Sequence, residues 1–177
     1  MKPSLEQLTQ EFTQLIGPAP VAPLPSAPAS VTPAGAPPAT APTTPTPVQV
    51  VDFAARGVNL DVTVAPDQVV AAAQLLDRHG FSLDTITGID WLAQGQMEVV
   101  YDYMHFTVNL RVAVRTRVPR DHPAVPTISP VFPGANWHER ETHDFFGIFF
   151  TGHPKMSPPF LLPEDADYHP LKKDYKP

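Results

Sequence analysis

The residues best suited to chemistry lie in one run, Asn136-Trp137-His138-Glu139-Arg140-Glu141-Thr142-His143-Asp144-Phe145-Phe146-Gly147. A histidine beside a glutamate, with a second histidine downstream, suggests a zinc-protease site in which two imidazoles on one helical face hold the metal. The spacing speaks against it. Such histidines stand four apart, whereas His138 and His143 are five apart and about 140° from one another around a helix. Glu139 and Glu141 have the residue types of an acid/base pair, but positions two apart on a helix diverge. The spacing instead pairs Glu139 with His143 and Arg140 with Asp144 at i,i+4. That pattern reads as a charged helix face laced by local ion pairs and turned toward a partner rather than toward a substrate. His79, His105 and His122 are scattered over strand ends and loops, the ordinary setting of structural histidines.

Composition narrows the chemistry further. There is no cysteine among the 177 residues, which excludes disulfides, thiolate metal sites and an iron–sulfur cluster held by this chain alone. A net charge of −6 without a basic cluster argues against nucleic acid as a partner. No apolar run reaches the roughly 20 residues that span a bilayer, and MKPSLEQLTQEF lacks the features of a signal or transit peptide. The expectation is a soluble, cytosolic chain.

The elements that position the polar run begin with Ser4 to Ile16. There Leu5, Leu8, Phe12, Leu15 and Ile16 recur at helical spacing, Ser4 and Gln7 form a capping box, and Gly17-Pro18 is a stop. Residues 1–17 read as a short amphipathic helix, with Leu5, Leu8, Phe12 and Leu15 as a docking stripe for a partner's groove or for the chain's own domain. Residues 18–47 carry 11 of the 24 prolines among Ala, Thr, Ser and Val, a composition that cannot form a core; it reads as a disordered tether. On this reading, removing residues 1–47 leaves the core domain folded.

Residues 48–147 read as that core domain. Val58, Leu60, Val62 and Val64 alternate as a first strand, Pro66 opens a helix that Gly80 ends, and a second strand runs from Phe81 to Thr87 before a turn at Gly88-Ile89-Asp90. Met97 to Tyr103 and His105 to Val118 follow as paired strands. In the second, Val108, Leu110, Val112 and Val114 face one way, and Asn109, Arg111, Arg115 and Arg117 face the other, toward water or a protein. Prolines from Pro119 to Pro133 leave room only for an edge strand near Val125 to Ile128. The order predicts an α+β fold, a mainly antiparallel sheet with helices on one face. Residues 148–177 form an extended proline-rich C-terminal strap. It leaves Phe149, Phe150, Phe160, Leu161, Leu162 and Tyr168 without regular structure to bury them, which suits a surface laid across a partner.

Several motifs in order carry a family resemblance. They are Glu139-Arg140-Glu141 with Asp144, Phe146 and Gly147-Ile148; Gly152-His153-Pro154; Leu161-Leu162-Pro163-Glu164; and His169-Pro170-Leu171-Lys172-Lys173-Asp174-Tyr175. Together they resemble the 30 kDa subunit of respiratory complex I and its counterpart in membrane-bound energy-converting nickel–iron hydrogenases. The resemblance spans roughly Val48 to Pro177. It implies a structural, assembly subunit of the peripheral arm that binds no cofactor itself and holds no catalytic residue. Its partners would be the large, hydrogenase-like subunit and a small subunit that bears iron–sulfur clusters. It would sit on the cytoplasmic side of the membrane, touching it only through the complex. The motif residues from Glu139 to Tyr175 become candidate partner contacts, with Lys172 and Lys173 suited to an acidic patch. Lys155-Met156-Ser157-Pro158-Pro159 departs from the basic pair usual after His-Pro in complex I members, which keeps the hydrogenase branch open beside the NADH:quinone branch. A free-standing adaptor is the competing class.

Overall fold

Alternating burial along two long strands builds the molecule. In the computed structural model, which describes residues 3–17 and 46–176, β4 (Gln96–His105) and β5 (Leu110–Pro119) pair antiparallel over their full length. Met97, Val99, Tyr101 and Tyr103 of the former, and Val112, Val114 and Val118 of the latter, are buried on one face. β1 (Val48–Val50), β2 (Leu60–Thr63) and β3 (Ser82–Trp91) complete a five-stranded sheet in the order β1-β2-β5-β4-β3. Every pairing is antiparallel except β2 with β5, which is parallel because a helical crossover intervenes between β2 and the hairpins. The α+β class and the mainly antiparallel sheet are as the sequence predicts. The tether expected at 18–47 lies, but for its last two residues, outside the described residues.

The helices cover the apolar face. α1 (Leu5–Ile16) follows Ser4, whose hydroxyl accepts the Gln7 N–H at 3.2 Å. A four-residue helix, α2 (Phe53–Arg56), precedes β2, and a 3₁₀ turn at Pro66–Gln68 leads into α3 (Val69–Arg78). α4 (Ala135–Phe146) packs against β3, and a two-stranded parallel pair, β6 (Ala124–Pro126) with β7 (Phe149–Thr151), flanks it. None of the described helices is long and apolar enough to cross a membrane.

Three expectations give way to the fold. First, α1 docks on its own domain. Leu8 and Phe12 have no exposed surface, and Leu5 and Leu15 pack against the same core. Glu11 meets His79, which caps the end of α3, at 2.9 Å, a hydrogen bond that holds the Glu11 carboxyl below its usual range. Of the two surfaces the sequence left open to this stripe, a partner's groove and the chain's own domain, the fold takes the second. Residues 1–47 are therefore not dispensable, since removing two fully buried side chains opens a cavity in the core.

Second, Gly88-Ile89-Asp90 is strand, not turn: β3 runs through it to Trp91, and the turn lies at Leu92–Gln94 and Gly95. Gly88 is in the strand for want of a side chain, because a Cβ there would meet the Phe146 ring at 2.6 Å. Third, β7 takes Phe150 into the core, fully buried, so the strap proper starts after it.

The other sheet face carries a small apolar cluster, Val58, Val100 and Ala113, beside a set of charges tied together. Asp61 bridges Arg56 at 3.1 Å and Arg115 at 2.7 Å. Glu98 accepts from the Trp91 indole N–H, and Arg117 lies over that indole at 4.9 Å. The arginines on this face hold carboxylates of the same face.

Candidate functional site

α4 and the strap form one unit, and the polar side chains of the helix are what fasten them. α4 ends at Gly147, left-handed at φ 72°, and a Cβ at this position would meet the His169 ring at 2.7 Å and the Lys172 Nζ at 3.1 Å. The glycine thus serves both as the helix stop and as the seat on which the returning strap rests.

Glu139 is fully buried. It accepts from the Thr127 hydroxyl and, at 2.8 Å, from the Ile128 N–H, so the helix is bolted to the segment after β6. Burial pushes its carboxyl up to about 7, against the opposing pull of those two bonds. His153 sits behind it, Nε2 3.9 Å from the carboxylate. That nitrogen donates to the Asn136 carbonyl at 3.2 Å, while Nδ1 accepts the Lys155 N–H at 3.0 Å. A ring that donates through one nitrogen and accepts through the other is neutral, and burial accordingly holds its pKa down.

One turn on, Asp144 receives the strap. Its Oδ2 accepts the N–H groups of Phe160 at 2.7 Å and Leu161 at 2.6 Å, a carboxylate held by successive main-chain donors. Its own carbonyl accepts from His169 Nδ1 at 2.8 Å, and burial lowers that imidazole's pKa as well. Arg140 is buried between aromatic faces, 4.8 Å from the Phe160 ring and 5.8 Å from the Trp137 ring. It donates to the Pro158 carbonyl at 3.1 Å, while its Nε has no partner among the described residues.

The far end of the strap is fixed to β3 and β5. Asp90 takes a two-pronged bond from Arg120, at 2.8 and 3.0 Å, and the Lys173 N–H at 2.8 Å. Arg120 foremost holds the Asp90 carboxyl below its usual range. Arg120 also donates to Asp174, and Tyr168 stacks on Tyr175 with centroids 5.5 Å apart.

The expected local ion pairs of α4 are therefore absent. Glu139 bonds Thr127 and Ile128 rather than His143, and Asp144 bonds strap amides rather than Arg140. His143 donates its Nδ1–H to the Ile148 carbonyl at 3.0 Å. Of the candidate contacts, Glu139, Arg140 and Asp144 are buried within the chain, and Phe146 lies half-buried over Gly88. His153, His169, Pro170, Lys172 and Tyr175 are partly covered, while Glu141, Gly152, Pro154, Leu171, Lys173 and Asp174 are exposed. Around them stand apolar groups that the fold leaves in water: Trp137 at 56% exposure, Leu161 at 50% and Leu171 at 52%. Sequence reasoning misses Thr127, Asp90 and Arg120 as parts of this unit, because no local pattern ties them to the residues they bond.

The carboxylates of Glu139 and Asp144 and the imidazoles of His143, His153 and His169 are each engaged in a bond to the main chain or to a neighbour. Among the described residues no group of three or more His, Asp or Glu side chains is placed to hold a metal ion.

Comparisons with known proteins agree with this unit's sequence. The family described as respiratory-chain NADH dehydrogenase, 30 Kd subunit, matches residues 62–177. The C subunit of the NADH-quinone oxidoreductase of Roseiflexus sp. (strain RS-1) is 42% identical over 122 residues, 66% of this chain and 69% of that protein. Its namesake from Moorella thermoacetica is 34% identical over 123 residues, 68% of this chain and 82% of that one. Among solved structures, a chain of the membrane-bound sulfane sulfur reductase, an archaeal respiratory membrane complex, superposes with a TM-score of 0.62 at 30% identity. The superposition covers 66% of this chain and 71% of that one.

Proposed function

The chain belongs to the family of the 30 kDa subunit of the respiratory-chain NADH dehydrogenase, and within that family we propose that it is a structural subunit of the peripheral arm of an NADH:quinone oxidoreductase. It binds no cofactor and supplies no catalytic residue. Its partners are the large subunit and a small subunit that bears iron–sulfur clusters, and it meets the membrane, on the cytoplasmic side, only through the complex. The observation that carries this reading is the α4–strap unit. Five polar side chains, Asp90, Arg120, Arg140, Asp144 and His169, are used to fasten an extended segment, and the apolar residues Trp137, Leu161 and Leu171 then face outward. A rigid backing with an aromatic and aliphatic crest is the composition of a binding hot spot.

The test is recovery of the complex from native membranes through a tag on this chain, with its partners identified by mass spectrometry. The expected result is a large and a small subunit together with turnover of NADH with a quinone. Hydrogen evolution without NADH oxidation would move the chain to the hydrogenase branch. Recovery of the chain alone would leave the free-standing adaptor.

A further inference from the structure

β3 has β4 on one side and no strand on the other. Which of its main-chain groups are left over follows from the ladder. The Arg120 N–H donates to the Gly95 carbonyl at 2.9 Å, extending the register in which 97 faces 118. Opposed residues in an antiparallel ladder alternate between bonded and non-bonded pairs, so the odd-numbered residues of β4 bond β5. The even-numbered ones, Glu98, Val100 and Asp102, bond in the other direction, where they face Ile89, Thr87 and Thr85. Ile86 and Gly88 between them point N–H and C=O away from the sheet. Neither makes a main-chain bond to any other described residue, and both residues are buried. Buried main-chain donors and acceptors are rarely left unpaired in a finished structure.

A cavity of about 240 Å³ lies against this edge, between the main chain of residues 85–88 and the side chains of Glu141, Phe145 and Leu171. The strand, SLDTITGIDW, is ten residues long and has neither the proline nor the lysine that commonly discourages pairing at an edge. We propose that this edge is completed by an extended segment of a neighbouring subunit, which adds a short strand through the outward groups of Ile86 and Gly88. The segment places an apolar side chain against Phe145 and Leu171 and a lysine or arginine beside Glu141. That glutamate is exposed and has no ion-pair partner among the described residues. The chain's own residues 18–47 suit the place poorly, since their 11 prolines have no N–H to donate. The inference rests on the subunit reading above.

Residue-resolved hydrogen exchange on the full chain, alone and within the purified complex, is the test. Alone, Thr85 and Thr87 exchange slowly and Ile86 and Gly88 at least tenfold faster. In the complex, Ile86 and Gly88 slow at least tenfold, and Glu141→Lys reverses that slowing while the isolated variant melts like its parent. Unchanged exchange of Ile86 and Gly88 in an intact complex overturns the strand addition and leaves the subunit reading standing. Slow exchange already in the isolated chain overturns it in favour of residues 18–47 or a second copy. A chain that joins no complex overturns both readings.

Discussion

The two ends of the chain carry similar apolar residues and use them in opposite ways. α1 places Leu8 and Phe12 at zero exposure and is held besides at the two ends of α3, by Glu11 to His79 and by the Gln68 side chain to the Leu15 and Ile16 carbonyls. The strap is held by Asp144, Asp90 and Arg120 while Leu161 and Leu171 stay about half exposed. An end fastened by burial has nothing left for a partner, whereas an end fastened by hydrogen bonds keeps its apolar surface. The strap lies inside the region matched by the family and α1 lies outside it. α1 is a cover for the core of this chain, and on the proposed reading the surface for a partner lies on the strap.

The largest effect on stability should come from α1. Phe12→Ala removes a fully buried ring and should cost about 3 to 5 kcal/mol, read by denaturant unfolding; a loss below about 1 kcal/mol would reduce α1 to an ornament. Next comes the clamp on the strap. Asp144→Ala strips the Phe160 and Leu161 amides of a charged acceptor, on the order of 1.5 to 3 kcal/mol. Limited proteolysis should then cut at 155–175 while the sheet persists, and uniform cutting would show that the strap and the sheet are a single cooperative unit.

A pH profile sharpens the contrast within α4. Glu139 titrates at about 7 in the fold against 4.5 in the open chain, so between those values the folded state binds more protons. Its contribution is most favourable below pH 4.5 and declines as pH rises to about 7, by at most about 3 kcal/mol. His153, with its pKa lowered by burial, works the other way: its contribution is present above about 6.5 and is lost as pH falls below that. Glu139→Gln, which keeps an acceptor for the Ile128 N–H, should remove the decline between pH 5 and 7. An unchanged profile would mean that Glu139 is ionised throughout. Smaller still is Gly147→Ala, about 1 kcal/mol or more for the left-handed position and the His169 contact, measured as a shift in the denaturation midpoint.

Periodicity in the sequence reveals β2, β4, β5, the first part of β3, the helix over 135–146 and the α+β class, because each is written in neighbouring residues, while the three-residue strands β1 and β7 are too short to show a period. β4 and β5 are legible from Met97, Val99 and Tyr101 against Val112 and Val114. The site is less so. At i,i+4 the pair Arg140 and Asp144 looks like a surface ion pair, and only the fold shows that Asp144 is committed to amides 16 and 17 positions on. Gly88-Ile89-Asp90 looks like a turn because glycine usually marks one, whereas this glycine answers to Phe146, which approaches it from a helix far along the chain. The destination of α1 is undecidable from its own residues, since an amphipathic stripe does not say whose surface covers it.

On the proposed reading, the exposed faces of Trp137 and Leu161 serve a partner rather than the fold. The direct measurement of this is the amount of the chain retained in the purified NADH:quinone oxidoreductase when both residues are changed together, Trp137→Asp with Leu161→Asp, alongside the thermal melt of the isolated full chain. Exposed positions should shift stability by no more than about 0.5 kcal/mol each, so the variant should melt close to its parent and be lost from the complex. Normal retention with full turnover would contradict the account.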